Sequence, residues 1–293
     1  MKKPKFTTFP IVKAPIQAEF FYKSRLVAMV KVLRDMIMEQ LKPILKEHYS
    51  NTANDSIAND SDIAGKVKSS FDDIIKKSEV TYKPAEELSK SYVEKINSYN
   101  RSKIIKSVNT DKQDSSLFGR VDFLSMMDRE GIKDAVSLAI NENVGLIRSI
   151  PQQYLANIQK AVYANLTGNL GYKSLIDAIN DCGHKETSRA QLIARDQTAK
   201  VNSSLDRIRS QNLGCVGYQW ITSHDQRVRQ AHKEHNNRYY LWENWKGKEK
   251  DRPIAPDGKP FNDPPVENGI SVNPGIAIQC RCIAKSIIIW EAA

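Results

Sequence analysis

The chain has 293 residues, 40% of them hydrophobic and 27% charged, enough for two domains with a sizeable core. Its net charge of +10 favours polyanionic partners, nucleic acid above all, through phosphate contacts. The composition argues against three classes. The longest aliphatic run, residues 287–289, cannot span a membrane, Pro10, Lys13 and Pro15 break any export signal, and four cysteines make no disulfide framework.

In chain order, residues 1–16 hold four lysines and three prolines and predict an extended arm that lies along a partner. Residues 17–48 switch to helix, with Phe21, Tyr22, Leu26, Met29, Val30, Leu33, Ile37 and Leu41 forming one apolar stripe. Pro43 and the Asn/Asp/Ser run at 50–62 are expected to interrupt it. Helical patterns resume over 63–77 and 84–107, the second carrying Leu88, Tyr92, Val93, Ile96 and Tyr99 on one side. Residues 108–120 are polar and read as a connection, and 121–150 are helical again with a break near Gly131.

Pro151 suits the first turn of a helix over 151–166, which Gly168 and Gly171 end. A short helix at 173–181 precedes a long one over 188–211, capped by Thr187 or Ser188 and ended by Gly214. After Gly214 the apolar period shortens to two through Val216, Tyr218, Trp220 and Thr222, the mark of a strand. The fold class is therefore α+β: a mainly helical N-terminal two-thirds, then a small module of short strands and turns packed on a long helix. The division by sequence is 1–110, a helical partner-binding arm; 111–187, a helical linker region; and 188–293, the C-terminal domain.

The chemistry concentrates in residues 213–282. No Walker loop, no GxGxxG after a strand and no GxSxG elbow is present, and no spacing joins the five histidines and four cysteines into a triad. The chain reads as a non-enzyme, with a hydrolase or transferase on this module as the third reading. Arg227, Arg229, Lys233 and Arg238 form the densest basic cluster, directly followed by Tyr239, Tyr240, Trp242 and Trp245. Such a mixture serves single-stranded nucleic acid by charge and stacking, although aromatics in a small module more often form its core. A non-specific nucleic-acid-binding module is therefore the alternative function.

His232 and His235 stand three apart, and Cys280 and Cys282 one residue apart behind the Pro274-Gly275 turn. Together they are a Cys2His2 set of the kind zinc takes. The reading preferred here is no cofactor: two buried thiols on one face of a strand beneath Trp220, with Arg281 turned to solvent or to Asp225. Zinc is the alternative.

By their order and spacing, LIARDQTAKVNSSLDRIRSQNLG, YQWITSHDQRVRQAHKEHNN and NDPPVENGISVNPGIAIQCRC resemble the C-terminal domain of the phage Mu F-like head morphogenesis family, the minor head proteins of tailed phages. Residues 143–175 are similar to the helical section that precedes it. The motif residues that carry the resemblance are Trp220, Asp225, His232, Pro274, Gly275, Cys280, Arg281 and Cys282. The resemblance implies a virion protein inside the head near the portal, with the host cytoplasm as the site of assembly. Its implied partners are the portal protein, coat or scaffolding protein and packaged DNA, with no membrane. It also implies that the aromatic-rich stretch after Asn237 is an insertion that lengthens a surface loop.

Overall fold

A computed structural model describes residues 5–52, 60–81, 83–110, 125–129, 131–168, 170–267 and 269–290. They pack into two compact units that are each discontinuous in sequence. One takes 19–91 and 140–194; the other takes 1–18, 92–139 and 195–293. The four boundaries between the units each fall inside a long helix, as does position 187 of the division read from the sequence.

The first unit is helical. Helix α1 (Ile16–Thr52) buries Tyr22, Leu26, Val30, Leu33, Ile37, Leu41 and Leu45, a spacing of three and four that lays one apolar stripe along its length. Pro43 lies inside α1 and does not interrupt it as expected; it sits on the exposed side, away from that stripe. The Asn/Asp/Ser run expected to break the helix falls mostly outside the described residues. Helix α2 (Asp60–Thr81) buries Ile63, Val67, Phe71 and Ile74 by the same rule. Helix α3 (Ala85–Thr110) enters this unit by its first turns, where Ser89 Oγ donates to Ile140 O at 2.7 Å.

Helix α4 (Ile132–Gly168) runs straight through Pro151, which sits buried mid-helix and starts nothing. The lost backbone bond is local, whereas Ile147, Ile150, Tyr154, Ile158 and Val162 keep one buried face on both sides of it. Helix α5 (Tyr172–Asn212) is likewise unbroken where two helices were expected. Thr187 Oγ1 and Ser188 Oγ donate back to the carbonyls of Gly183 and His184, at 2.8 and 3.0 Å, so neither is a cap.

The second unit carries the sheet. Strands β1 (Lys5–Thr8), β2 (Gly217–Ile221), β3 (Tyr239–Leu241) and β6 (Ile283–Trp290) order as β1-β6-β2-β3, all pairs antiparallel. A separate two-stranded pair joins β4 (Val266–Glu267) and β5 (Ile270–Ser271). Gly214, at φ +82°, ends α5 as expected, and its successor Cys215 bonds back to Ser210 O. One correction concerns the N-terminus: residues 5–12 are no free arm. β1 pairs with β6 in the register Lys5↔Trp290 to Thr8↔Ile287, Phe9 and Val12 are buried, and Asn202 Nδ2 holds Val12 O at 2.8 Å. A second concerns the stretch after Asn237: Tyr239–Leu241 form an edge strand, and Trp242 and Phe261 are core, so it is more than a surface loop.

The core of this unit gathers Trp220, Trp242, Tyr218, Tyr240, Leu213, Cys280, Cys282 and Ile288. Tyr218 and Trp242 pack at 4.2 Å between ring centroids. The aromatics that follow the basic cluster are therefore mostly structural. Burying a ring of this size stabilises by roughly 1.5–3 kcal/mol.

Candidate metal centre

β2 leads Trp220 into the core, and a loop over 222–229 turns the chain into the short helix α6 (Gln230–His235). Only one residue of α6 is buried, His232, whose ring meets the Trp220 indole edge-on at 5.4 Å. From the other side, Asn273, Pro274 and Gly275 form a buried turn that delivers the loop 276–282. This loop is not the strand expected around the cysteines; β6 begins at Ile283. Its backbone is bent by Gln279, a non-glycine residue at φ 58°, whose N–H is taken by Asp196 Oδ1 at 2.6 Å, and by the Cys280 N–H turning back to Ala277 O.

The bend points both thiols at the imidazole. Cys280 Sγ and Cys282 Sγ lie 3.5 and 3.6 Å from His232 Nδ1, and all three side chains are buried. On the far side of the ring, Nε2 lies 3.6 Å from Glu267 Oε1, beyond hydrogen-bond reach. The Cys280 thiol is pulled down to about 5 by the hydrogen bond from Cys282, helped by the N–H groups of Cys282 and Gly275 and by His232. Cys282 is pushed up by its role as the donor to Cys280 and by burial.

These residues fit a metal ion. Zinc, bonded to sulfur at about 2.3 Å and to nitrogen at about 2.0–2.1 Å, sets tetrahedral S and N ligands about 3.5 Å apart. The two S···N distances here have that spacing before any ion is placed, and two thiolates with an imidazole are a zinc donor set. Among the described residues this is the one cluster of three His, Cys, Asp or Glu side chains able to share an ion.

His235 does not join it. Its Nδ1 bonds to the Tyr240 hydroxyl at 2.7 Å and its ring packs on Trp220 at 4.9 Å. Arg281 pairs with Asp225 at 2.6 Å, the partner anticipated for it, and Asp225 also accepts the Arg227 N–H at 2.9 Å. Arg227 and Arg229 line a cavity over the triad, whereas Lys233 and Arg238 are exposed outside it. Two neighbours of the site went unseen in the sequence: Glu267, on a two-residue strand without periodicity, and Arg195, one charge among many on α5.

Gly275 is the joint of the loop. It sits at φ +84°, and a Cβ there would collide with Ser203 Oγ and Cβ and press on Cys282 O. Gly275→Ala is expected to cost about 1–2 kcal/mol for the left-handed backbone and about 1–3 kcal/mol more for overpacking. Urea unfolding checks it; a change under half a kcal/mol would refute the role given to the turn.

Residues 156–285 match the family model described as Phage Mu protein F like protein. A protein of Haemophilus influenzae, described as uncharacterized, is 26% identical over 291 residues, a span of 98% of this chain and 57% of that protein. The chain therefore spans little more than half the length of this relative. No solved structure matches.

Proposed function

We propose, from the premise that residues 156–285 belong to the Phage Mu protein F like family, that this chain is a structural component of a phage head acting in head morphogenesis. It sits inside the head at the portal vertex, bound to portal and to coat or scaffolding protein, near the packaged DNA, and serves packaging or ejection. The observation that carries this reading is the family match itself, which falls on the same stretch as the Trp220, Pro274-Gly275 and Cys280-Arg281-Cys282 motifs. No helix among the described residues is long and apolar enough to cross a membrane.

A zinc ion belongs to the proposal. His232, Cys280 and Cys282 would hold it, and once bound it would fasten α6 to the loop before β6. Turnover is not part of the reading. The cavity beside the triad is lined by arginines, Asp225 at its edge is tied to Arg281, and the imidazole there is a candidate ligand.

The test is made on heads purified from the phage that encodes the chain. Mass spectrometry should find it in every preparation, at few copies, and cross-linking should join it to the portal protein. Heads that form and fill normally when the gene is deleted, or that never contain the chain, would refute the reading.

A further inference from the structure

Four arginines from three stretches of chain open onto one cavity of about 320 Å³. Arg195 comes from α5, Arg227 and Arg229 from the loop before α6, and Arg281 from between the two cysteines. Their partners decide what the cavity is for. Arg195 Nη2 donates to Gln279 Oε1 at 2.9 Å and Arg229 Nη2 to Ile278 O at 2.6 Å, neutral groups that fix a guanidinium without cancelling its charge. Arg227 makes no side-chain bond to any described residue, and only Arg281 faces a carboxylate, Asp225. The next acid, Asp196, is occupied by the Gln279 N–H and by Lys200 at 3.1 Å. Three guanidinium groups are thus gathered with no carboxylate partner among the described residues, an arrangement that favours an anion. Gln279, a non-glycine residue at φ 58°, shapes one wall of the cavity.

We propose that this cavity binds a phosphate of a nucleic-acid backbone, gripped between the guanidinium groups. The planar fork of arginine matches tetrahedral phosphate oxygens with paired, charge-assisted hydrogen bonds, and convergence from three directions suits an anion with oxygens on every side. No base edge is read, so binding is independent of sequence. The identification of the phosphate as that of DNA rests on the head-component reading, where DNA is the polyanion at hand. The sequence pointed to Arg227, Arg229, Lys233 and Arg238 for this role; the cavity keeps the first two and replaces the others with Arg195 and Arg281.

The experiment titrates the full chain against a fluorescent duplex of arbitrary sequence across a range of salt. Arg195→Gln with Arg229→Gln should weaken binding about tenfold and lower the slope of log affinity against log salt by about 1–2, as fewer counterions are released. Lys246→Gln with Lys248→Gln, the same charge change at exposed positions outside the cavity, should change binding less than about twofold. Arg227→Gln, which removes no other side-chain contact, should weaken binding severalfold by itself, and Asp225→Asn should strengthen it. Equal losses in the cavity and control pairs would overturn the proposal. So would displacement by inorganic phosphate without dependence of duplex binding on these arginines, which marks a site for the free ion. A polyglutamate peptide binding as tightly as the duplex would assign the cavity to an acidic protein instead. Absence of the wild-type chain from purified heads would sink the head reading alone, since the arginine dependence is measured without heads.

Discussion

Chelation, or replacement of Cys280 or Cys282 by serine, is expected to release a stoichiometric zinc ion and unfold the sheet-bearing unit. Ligand binding energy at such a site is folding energy, because the unfolded chain has no preformed site to give it back. The loss should reach about 4–5 kcal/mol or more, beyond the ordinary range of single substitutions. Buried thiols without a metal make a different forecast: serine would cost about 1–3 kcal/mol for a poorly paired hydroxyl, and alanine less. Cys215→Ala is the control, a buried thiol outside the triad whose loss should leave the metal content unchanged. Metal analysis of the purified protein, with thermal unfolding before and after chelator, separates the two. Protein that carries no zinc and ignores the chelator would end the metal proposal.

Arg209→Ala is expected to be nearly as damaging. This guanidinium is fully buried, with Nε and Nη2 on Asp128 Oδ1 at 3.1 and 3.0 Å and Nη1 on Asn100 Oδ1 at 2.6 Å. Asp206 lies one turn back, also buried; burial pushes its carboxyl up to about 7, while the charge of Arg209 and a hydrogen bond from Asn100 pull it down. Removing the cation leaves the buried Asp206 without its countercharge, while Asp128 keeps Arg101, a loss of about 3–5 kcal/mol. The loss must depend on pH. A folded value near 7 lies above the ordinary unfolded value of about 3.9, so Asp206 weakens the fold most above pH 7, and stability returns as pH falls from 7 toward 4. The variant should therefore suffer more at pH 8 than at pH 5, where the folded state carries a neutral Asp206. Equal urea midpoints shifts at the two pH values, or a loss below 1 kcal/mol, would contradict this account.

Much of the helical part was legible because burial there follows a period. Tyr22 through Leu41 line up in the sequence as they do in α1, and Gly214 stops α5 where a left-handed residue must. The misplaced boundaries came from prolines and hydroxyl residues read as punctuation. Pro43 and Pro151 are tolerated inside long helices, and Thr187 and Ser188 turn their hydroxyls back along α5. At the site, the Arg281–Asp225 pair and the nearness of His232 to both cysteines follow from motif residues that a reader can pick out. What placed the thiols is less visible. A strand was the simplest way to aim residues 280 and 282 alike, yet a bent loop achieves it, held by Asp196 from a helix some eighty residues earlier. Long-range contacts of that kind leave no local period. For the same reason the arginine cavity was only half visible, since Arg195 and Arg281 join Arg227 and Arg229 through the fold alone.

The pairing of β1 with β6 also sets an order in time. Lys5–Thr8 leave the ribosome long before their partners, residues 287–290. Closing so long a loop is entropically slow, and nothing nearer in the chain pairs with β1 among the described residues. Until residues 287–290 are made, then, β1 waits without its neighbour, and Phe9 and Val12 wait with it. When β6 finally emerges, a nascent strand rich in isoleucine meets either its own β1 or the β1 of an adjacent chain. Crowded translation of many copies at once therefore favours strand exchange at this seam, and a fusion placed before Lys5 would be felt first as slower, more aggregation-prone maturation of the sheet.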